Sequence, residues 1–285
     1  MQSIENKIKE ATLNLRQNKI ENPRLDAEIL LMHLLNCDRL FLLMHMKEAL
    51  TDQQCLDFEE LVKRRLNHEP IAYIIGYKGF MDDIFVVTPA VLIPRPDTES
   101  IVEAVIQRLK KENHQPLKIL DLCTGSGAIG ISLKNALKTA DVTLTDLSEA
   151  ALAIAQINAD RLCAGEVTLI LSDLFEAIPK GETYDLIISN PPYIPEKDMQ
   201  NLAEDVKDFE PTMALAGGNT GFDFYDRIIE GAKAYLKPHG KLVLEAGDNQ
   251  DLMLIKHLEQ RGYAIIQLIP DLIQRNRGIV AEKIL

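Results

Sequence analysis

Four short apolar runs in this chain each lead to an acid or an amide. Leu117–Cys123 carries Asp121, Asp141–Asp146 stops at Asp146, Val167–Ser172 is followed by Asp173, and Tyr184–Ser189 is followed by Asn190. Apolar runs of this length alternating with helical stretches read as buried strands of βαβ units. Such units fold into a mostly parallel sheet with helices on both faces. In an open sheet of that kind, ligands bind outside the carboxyl ends of the strands, so Asp121, Asp146, Asp173 and Asn190 should line one crevice. Any one of these carboxylates could instead cap the helix after its strand. Asp146, before Leu147-Ser148-Glu149, is the most open to that reading. Four polar groups at four successive strand ends are harder to explain as caps.

Thr124-Gly125-Ser126-Gly127-Ala128-Ile129-Gly130 follows the first strand and satisfies GxGxxG at Gly125, Gly127 and Gly130. Glycines there permit a tight turn and let the backbone N–H groups of a helix N-terminus approach a ligand. Alone the pattern suits a dinucleotide, an adenosyl cofactor or close helix-to-strand packing. Asp121 favours the second, because a carboxylate suits a cationic methionine-derived amine and repels a pyrophosphate. Asp146 stands where a ribose diol would want a bidentate acceptor. Asp173, followed by Leu174 and Phe175, could receive an adenine amino group and cover its ring.

Asn190-Pro191-Pro192-Tyr193 closes the fourth strand. Two consecutive prolines fix φ and remove two backbone donors, leaving the carbonyls of Asn190 and Pro191 free to accept from a ligand. A planar NH2 group held by the Asn190 side-chain oxygen and the Pro191 carbonyl, with Tyr193 on its face, would have its nitrogen aimed along one line. The plain alternative is a proline-rich turn after a buried strand.

Taken together these motifs resemble a class I S-adenosylmethionine methyltransferase that modifies a planar NH2 nitrogen. The text around them is similar to the HemK/PrmC type, the N5-glutamine methyltransferases of peptide chain release factors. The resemblance rests on Glu69–Gly76, Leu92–Glu99 with its Arg95-Pro96-Asp97-Thr98-Glu99, Glu210–Leu215, and Leu244–Gly247 with Gln250, and it covers essentially the whole chain. It implies a Rossmann-like seven-stranded sheet and S-adenosyl-L-methionine as cofactor, with S-adenosyl-L-homocysteine as product. The cofactor would be held by Asp121, Cys123, Thr124, Gly125, Ser126, Gly127, Asp146, Asp173, Leu174 and Asn190. Asn190, Pro191, Pro192 and Tyr193 would hold the substrate glutamine amide. Three departures stand out. Cys123 replaces a glycine often found there, Leu174 stands where some members carry an aromatic ring, and Asp271–Val280 keeps its arginines while varying around them.

Composition agrees with that reading. The chain has 285 residues, 46% hydrophobic and 26% charged, ordinary usage for one large or two unequal globular domains. A net charge of −12 and a pI near 5.0 weigh against a nucleic-acid backbone as direct partner, since that affinity comes from clustered Lys and Arg. The basic triplet Lys63-Arg64-Arg65 reads as a solvated helix face. Cys37, Cys55, Cys123 and Cys163 form no CxxC pair and there is no His cluster at zinc spacing, so reduced thiols in the cytoplasm and no metal are expected. The first ten residues lack an apolar core for a signal, and the longest apolar stretches are too short for a bilayer.

The hydrophobic period changes along the chain. Residues 1–70 show helical spacing at Ile4, Ile8, Thr12 and Leu15, at Leu25, Ile29, Met32 and Leu35, and at Leu56, Leu61 and Leu66. Helix starts are expected at Asn22-Pro23 and Thr51-Asp52. Residues 71–93 predict a β-hairpin linker, Tyr73–Phe80 and Ile84–Val87 around a turn at Met81-Asp82-Asp83. Residues 94–285 form the methyltransferase domain, opening with a helix over 97–111 and closing with antiparallel strands at 264–269 and 278–283. His33 and His45 read as core or boundary residues. The helical domain is expected to dock a class 1 release factor, and the protein to act as a cytoplasmic monomer away from membranes. A ribosomal-protein glutamine methyltransferase and an adenine N6 methyltransferase of nucleic acid remain alternatives. The first shares nearly every motif, and the second would want a basic recognition domain.

Overall fold

Helix caps legible in the sequence define the N-terminal unit. The computed structural model describes residues 2–112 and 116–284, and its chain divides into two units, Met1–Tyr77 with Ala203–Phe209, and Lys78–Leu202 with Glu210–Leu285. In the first, helix α1 (Ile4–Gln17) starts at Ser3, whose hydroxyl accepts from the backbone of Asn6 at 3.3 Å. Helix α2 (Pro23–Leu35) starts with Pro23 in its first turn, and α3 (Arg39–Met44) follows at the Asp38 cap. Helix α4 (Asp52–Leu66) carries a full capping box in which Thr51 and Gln54 exchange side-chain bonds to each other's backbone N–H.

The core of this unit joins Ile4, Ile8 and Leu15 to Ala27, Leu30, Leu31, Leu42, Phe58, Val62 and Ile74. The face of α1 is the one the spacing predicts. Those of α2 and α4 are not: Leu25 and Leu56 are exposed while Ala27, Leu30, Leu31, Phe58 and Val62 are buried. Helix α2 buries Asp26 and Glu28 beside Ala27, Leu30 and Leu31, so apolar periodicity alone does not choose which side turns inward. Arg65 also departs from the solvated face expected of its triplet. It is buried, with Nε donating to Asp26 at 2.7 Å and Nη1 donating to the carbonyls of His68 and Glu69, so water is replaced bond for bond. His45 stacks on Phe41 with ring centroids 3.9 Å apart, and its Nδ1 lies 2.7 Å from the Phe41 carbonyl.

The expected first hairpin strand is half helix. Residues Ile71–Ile75 form α5, started by Pro70 and stopped by Gly76 in the left-handed region at φ 83°. Ala72, Tyr73 and Ile74 are buried there, so β-branched residues that suggest a strand serve as helix contacts. The hairpin is shorter, β1 (Tyr77–Phe80) and β2 (Asp83–Val86).

In the second unit the βαβ alternation is present. It runs α6 (Pro96–Glu112), β3 (Lys118–Leu122), α7 (Ala128–Ala136), β4 (Asp141–Asp146), α8 (Glu149–Leu162), β5 (Thr168–Leu171) and β6 (Tyr184–Ser189). Short helices α9 (Glu204–Lys207, within the first unit) and α10 (Thr212–Leu215) precede α11 (Asp223–Tyr235), β7 (Leu236–Glu245), α12 (Asp251–Gln260), β8 (Tyr263–Pro270) and β9 (Asn276–Lys283). Among the described residues the sheet has seven strands in the order β5-β4-β3-β6-β7-β9-β8, parallel except for β9, which runs antiparallel to β7 and β8.

Strand alternation divides the core in two. Ile119, Leu186, Ile188 and Val243 face a layer containing Val102 and Val105 of α6 and Ile131 of α7. Leu120, Ile187, Leu242 and Leu244 face the other, with Tyr225 and Ile229 of α11 and Leu254 of α12. Order reverses between β4 on one side of β3 and β6 on the other, and Leu122 pairs with Ser189 at the two carboxyl ends. Helix α7 lies so close to the sheet that a Cβ at Gly130 would come within 2.1 Å of Leu144 Cδ2 and 3.1 Å of Asp121 Oδ2. Gly130→Ala should therefore destabilise the protein by about 1–3 kcal/mol through overpacking. Denaturant unfolding reads this directly, and an unchanged midpoint would mean that Leu144 moves aside freely.

Candidate active site

Cys123, Gly125, Asp146, Asp173, Leu174, Asn190 and Pro192 all line one cavity of ≈ 190 Å³ at the carboxyl ends of β3, β4, β5 and β6. The turn after β3 is tied to the end of β4. Thr124 donates its backbone N–H to the Thr145 carbonyl at 2.9 Å, and Gly125 donates its own to Asp146 Oδ2 at 2.9 Å. Asp146 Oδ1 accepts from Ser148 N at 2.9 Å, while Ser148, whose hydroxyl accepts from Ala151 N at 3.2 Å, is the cap of α8. Asp146 is therefore not the helix cap. Each of its oxygens keeps a second lone pair, and the residue lines the cavity.

Gly125 has φ 56° and nothing within 4 Å of the position a Cβ would take, so the cavity reaches the bare backbone there. Gly127, at φ 83°, faces the opposite constraint, since a Cβ would meet Ile131 Cδ1 at 2.7 Å. Cys123 holds φ 58°, a conformation costing an ordinary residue about 1–2 kcal/mol, which explains why glycine suits this position. Burial pushes the Cys123 thiol well above its usual range, so it stays protonated and neutral.

Asp121 does not reach the cavity. It is fully buried beneath the turn, where Oδ2 accepts from the Thr124 hydroxyl at 2.6 Å and from Gly130 N at 3.0 Å. It organises the glycine turn from below, in place of the direct contact with a cationic ligand expected from its position. Thr124, Ser126 and Gly127 likewise shape the turn without lining the cavity. Asp173 lines it while pairing with Arg227 at 2.8 Å. Leu174 lines it from φ 52°, and Phe224 of α11 supplies an aromatic ring that the strand-end pattern does not predict.

Asn190 and Pro192 open onto the same space, with Pro191 buried between them. Tyr193 does not join the lining. Its ring lies against Gly247, where a Cβ would come within 2.8 Å of Tyr193 Cδ2, and its carbonyl accepts from Gln250 Nε2 at 2.9 Å. Gly217 and Gly221 press on its backbone, at 2.6 Å from the Tyr193 Cα and 2.3 Å from its carbonyl oxygen for an added Cβ. Burial, followed by the Glu245 carboxylate, pushes the Tyr193 hydroxyl up. Tyr193 thus anchors the proline motif. Glu210, buried, accepts from Arg95 Nη2 at 2.5 Å and from Ile93 N at 3.3 Å, tying residues 90–93 to 211–216 on opposite parts of the cavity rim. Thr98 meets Asn190 and Glu245, a contact between positions too far apart in sequence for a single chain's pattern to signal.

Asp146 and Asp173 line the cavity, and Arg227, which is not one of its lining residues, pairs with Asp173. This donor set fits a ligand with hydroxyls, an amino group and positive charge, and it repels a pyrophosphate. Cys123, Gly125 and Asp146 could hold the polar part of such a ligand, and Asp173, Leu174 and Phe224 its base.

The buried Asp121 has a titration consequence. Its Oδ1 has no hydrogen-bond partner among the described residues, and burial raises its pKa from 3.8 to about 7. A carboxyl whose folded pKa is raised contributes stability that is complete below its unfolded value and lost as pH rises through about 7. Asp121→Asn keeps an acceptor for Thr124 and Gly130 and removes the ionisation. The variant's Tm relative to the parent should rise by roughly 5 °C between pH 5 and pH 8, measured without ligands. A gap that stays flat or narrows with pH would contradict the buried, ionisable environment.

Two family models match the chain, the PrmC N-terminal domain over residues 7–76 and the methyltransferase small domain over residues 97–207. Among curated relatives, the release factor glutamine methyltransferase of Koribacter versatilis is 40% identical over 92% of this chain and 92% of its own. That of Clostridium acetobutylicum is 37% identical over 97% of this chain and 99% of its own. Among solved structures, a methyltransferase from Pyrococcus furiosus aligns with a TM-score of 0.51 at 21% identity over 70% of this chain and 89% of its own. A Thermus thermophilus 16S rRNA methyltransferase does so at 0.51 and 20% identity over 73% of this chain and 50% of its own, a likeness of fold. Full-length similarity to curated enzymes, carried on a methyltransferase sheet with its strand-end cavity, shows that the chain belongs to the release factor glutamine methyltransferase family.

Proposed function

We propose that this chain transfers the methyl group of S-adenosyl-L-methionine to the side-chain amide nitrogen of the glutamine in the Gly-Gly-Gln motif of class 1 peptide chain release factors. The observation that carries the reading is that Asn190 and Pro192 share one cavity with Gly125, Asp146, Asp173 and Leu174. An amide-holding motif and a glycine-rich turn opening onto the same space suit a transfer between two bound molecules. The relatives' printed function supports the choice of substrate.

When bound, S-adenosyl-L-methionine supplies a methyl carbon already made electrophilic by its sulfonium. The chain's task is to orient the incoming nitrogen, a poor nucleophile in an amide. Asn190 Oδ1 and the Pro191 carbonyl accept the two N–H bonds of the substrate amide. These contacts favour electron density on nitrogen and strengthen as positive charge develops there. Asp146 takes the ribose hydroxyls, Asp173 the adenine amino group, and Leu174 with Phe224 covers the ring. The proton left on the product nitrogen passes through Asn190 or directly to water.

The helical unit docks the release factor in this reading. Leu40, Phe41, Leu43 and Met44 of α3 are 66%, 44%, 48% and 74% exposed, an apolar patch suited to a protein surface. In this reading the enzyme meets the release factor in the cytoplasm and acts as a monomer.

Methyl transfer from tritiated S-adenosyl-L-methionine should label a class 1 release factor, and a Gln→Ala change in its Gly-Gly-Gln motif should abolish the label. Label on ribosomal protein, DNA or rRNA in place of the release factor would contradict the assignment. Asn190→Ala should lower kcat by about 100-fold and leave cofactor affinity within about threefold. Equal loss of both, or no loss, would remove Asn190 from the role given to it. Phe41→Ser with Met44→Ser should raise KM for the release factor by about tenfold at unchanged kcat, and an unchanged KM would move the docking surface elsewhere.

A further inference from the structure

Glu245 ends β7 fully buried in the second unit, and its carboxylate does not line the cavity. Its Oε2 accepts from the Thr98 hydroxyl at 2.5 Å, and Thr98 Oγ1 in turn accepts from Asn190 Nδ2 at 3.5 Å. Thr98 and Glu245 are 5% and 3% exposed, whereas Asn190 opens onto the cavity. The chain of contacts therefore runs from the interior to the site in a single line.

We propose that Glu245, acting through Thr98, is the positioning residue that fixes the Asn190 side-chain amide with its oxygen toward the substrate glutamine. The proposal rests on the reading of Asn190 given above and deepens it. An Asn amide is nearly symmetric in shape, and its two ends differ only in hydrogen-bonding sense. Flipped, it would point a donor at the substrate's own N–H groups and repel them. A carboxylate only accepts, so Thr98 gives its one hydroxyl proton to Glu245 and can only accept from Asn190. The end of Asn190 turned toward Thr98 is thereby the NH2, and Oδ1 is left for the amide to be methylated. Glu245 sets the sense of the bonds, Thr98 passes it on, and neither touches substrate.

The role belongs to the ionised form of Glu245, because a protonated carboxyl could itself donate to Thr98. Burial pushes its carboxyl up to about 7, while Thr98, Arg277 and Arg95 favour the ionised form and Asp97 opposes it. Arg277 is held in place by the Ala246 carbonyl at 2.9 Å and Asp248 at 2.7 Å. The Glu245 carbonyl accepts from the Tyr225 hydroxyl at 2.8 Å, fixing the strand end from which its side chain departs.

The test is a set of kinetic comparisons on the intact chain with a release factor as acceptor: Thr98→Val, Thr98→Ser, Asn190→Ala and the double variant Thr98→Val/Asn190→Ala. Valine keeps the shape and removes the hydroxyl. Thr98→Val should lower kcat by about tenfold with KM and cofactor affinity within about twofold, and Thr98→Ser should restore kcat. In the Asn190→Ala background Thr98→Val should cost nothing further, because a residue acting only through Asn190 has nothing left to orient. Losses that multiply in the double variant, or a Thr98→Val enzyme that loses only Tm and keeps its kcat, would overturn the proposal. A parent enzyme that leaves the release factor unlabelled would overturn the functional reading, and this inference with it. That outcome is visible in the first control and is distinct from a failure of the Thr98 series alone.

Discussion

The side chain of Ser189 donates to the Leu122 carbonyl at 2.8 Å, and much of the site follows from that alignment of two strand ends. It fixes the carboxyl ends of β3 and β6 level with each other at the point where strand order reverses. Cys123 and Asn190, the next residues on each chain, then open onto the same space. One strand leads into the glycine turn, whose Thr124 and Gly125 N–H groups bond to the end of β4, and the other into two prolines, which remove two backbone donors. Two chain segments of different hydrogen-bonding character thus meet at one crevice.

Acids gather at this sheet edge without destabilising it because each has found its own partners. Asp146 is tied to Gly125 and Ser148, Asp173 to Arg227, Glu210 to Arg95 and Ile93, and Glu245 to Thr98. Asp121 is the exception, with one oxygen bonded twice and the other without a partner among the described residues. A buried carboxylate of this kind costs stability in the ionised form and holds the turn rigid in either form. The anchoring of Tyr193 serves the same end. Gly217, Gly221 and Gln250 hold the Tyr193 backbone, and Gly247 meets its ring, three residues on from Asn190.

Much of this was legible in the sequence, and the physical reasons differ from residue to residue. Strands β3, β4 and β6 are short apolar runs ending on polar residues, and the helix caps at Pro23 and Thr51 are local signals, so both survive in the structure. The inward faces of α2 and α4 were not legible, because α2 buries Asp26 and Glu28 among its aliphatic residues and α4 buries Arg65, so apolar spacing alone does not reveal which side meets its neighbours. Helix α5 was hidden by β-branched residues that serve equally as helix contacts. The withdrawal of Asp121 from the cavity depends on burial, which no motif encodes. The Thr98 to Glu245 contact, and the arrival of Phe224 in the lining, join elements distant in sequence that only the packed sheet brings together.

The central claim is that Asn190 and the Pro191 carbonyl hold a glutamine amide beside the glycine turn. The most direct measurement is a crystal structure of the chain with S-adenosyl-L-homocysteine and a peptide bearing Gly-Gly-Gln. The glutamine side-chain nitrogen is expected within hydrogen-bonding distance of both Asn190 Oδ1 and the Pro191 carbonyl, with the cofactor product over Gly125 and Asp146. A glutamine seated elsewhere, or an Asn190 amide turned with its NH2 toward the substrate, would contradict it.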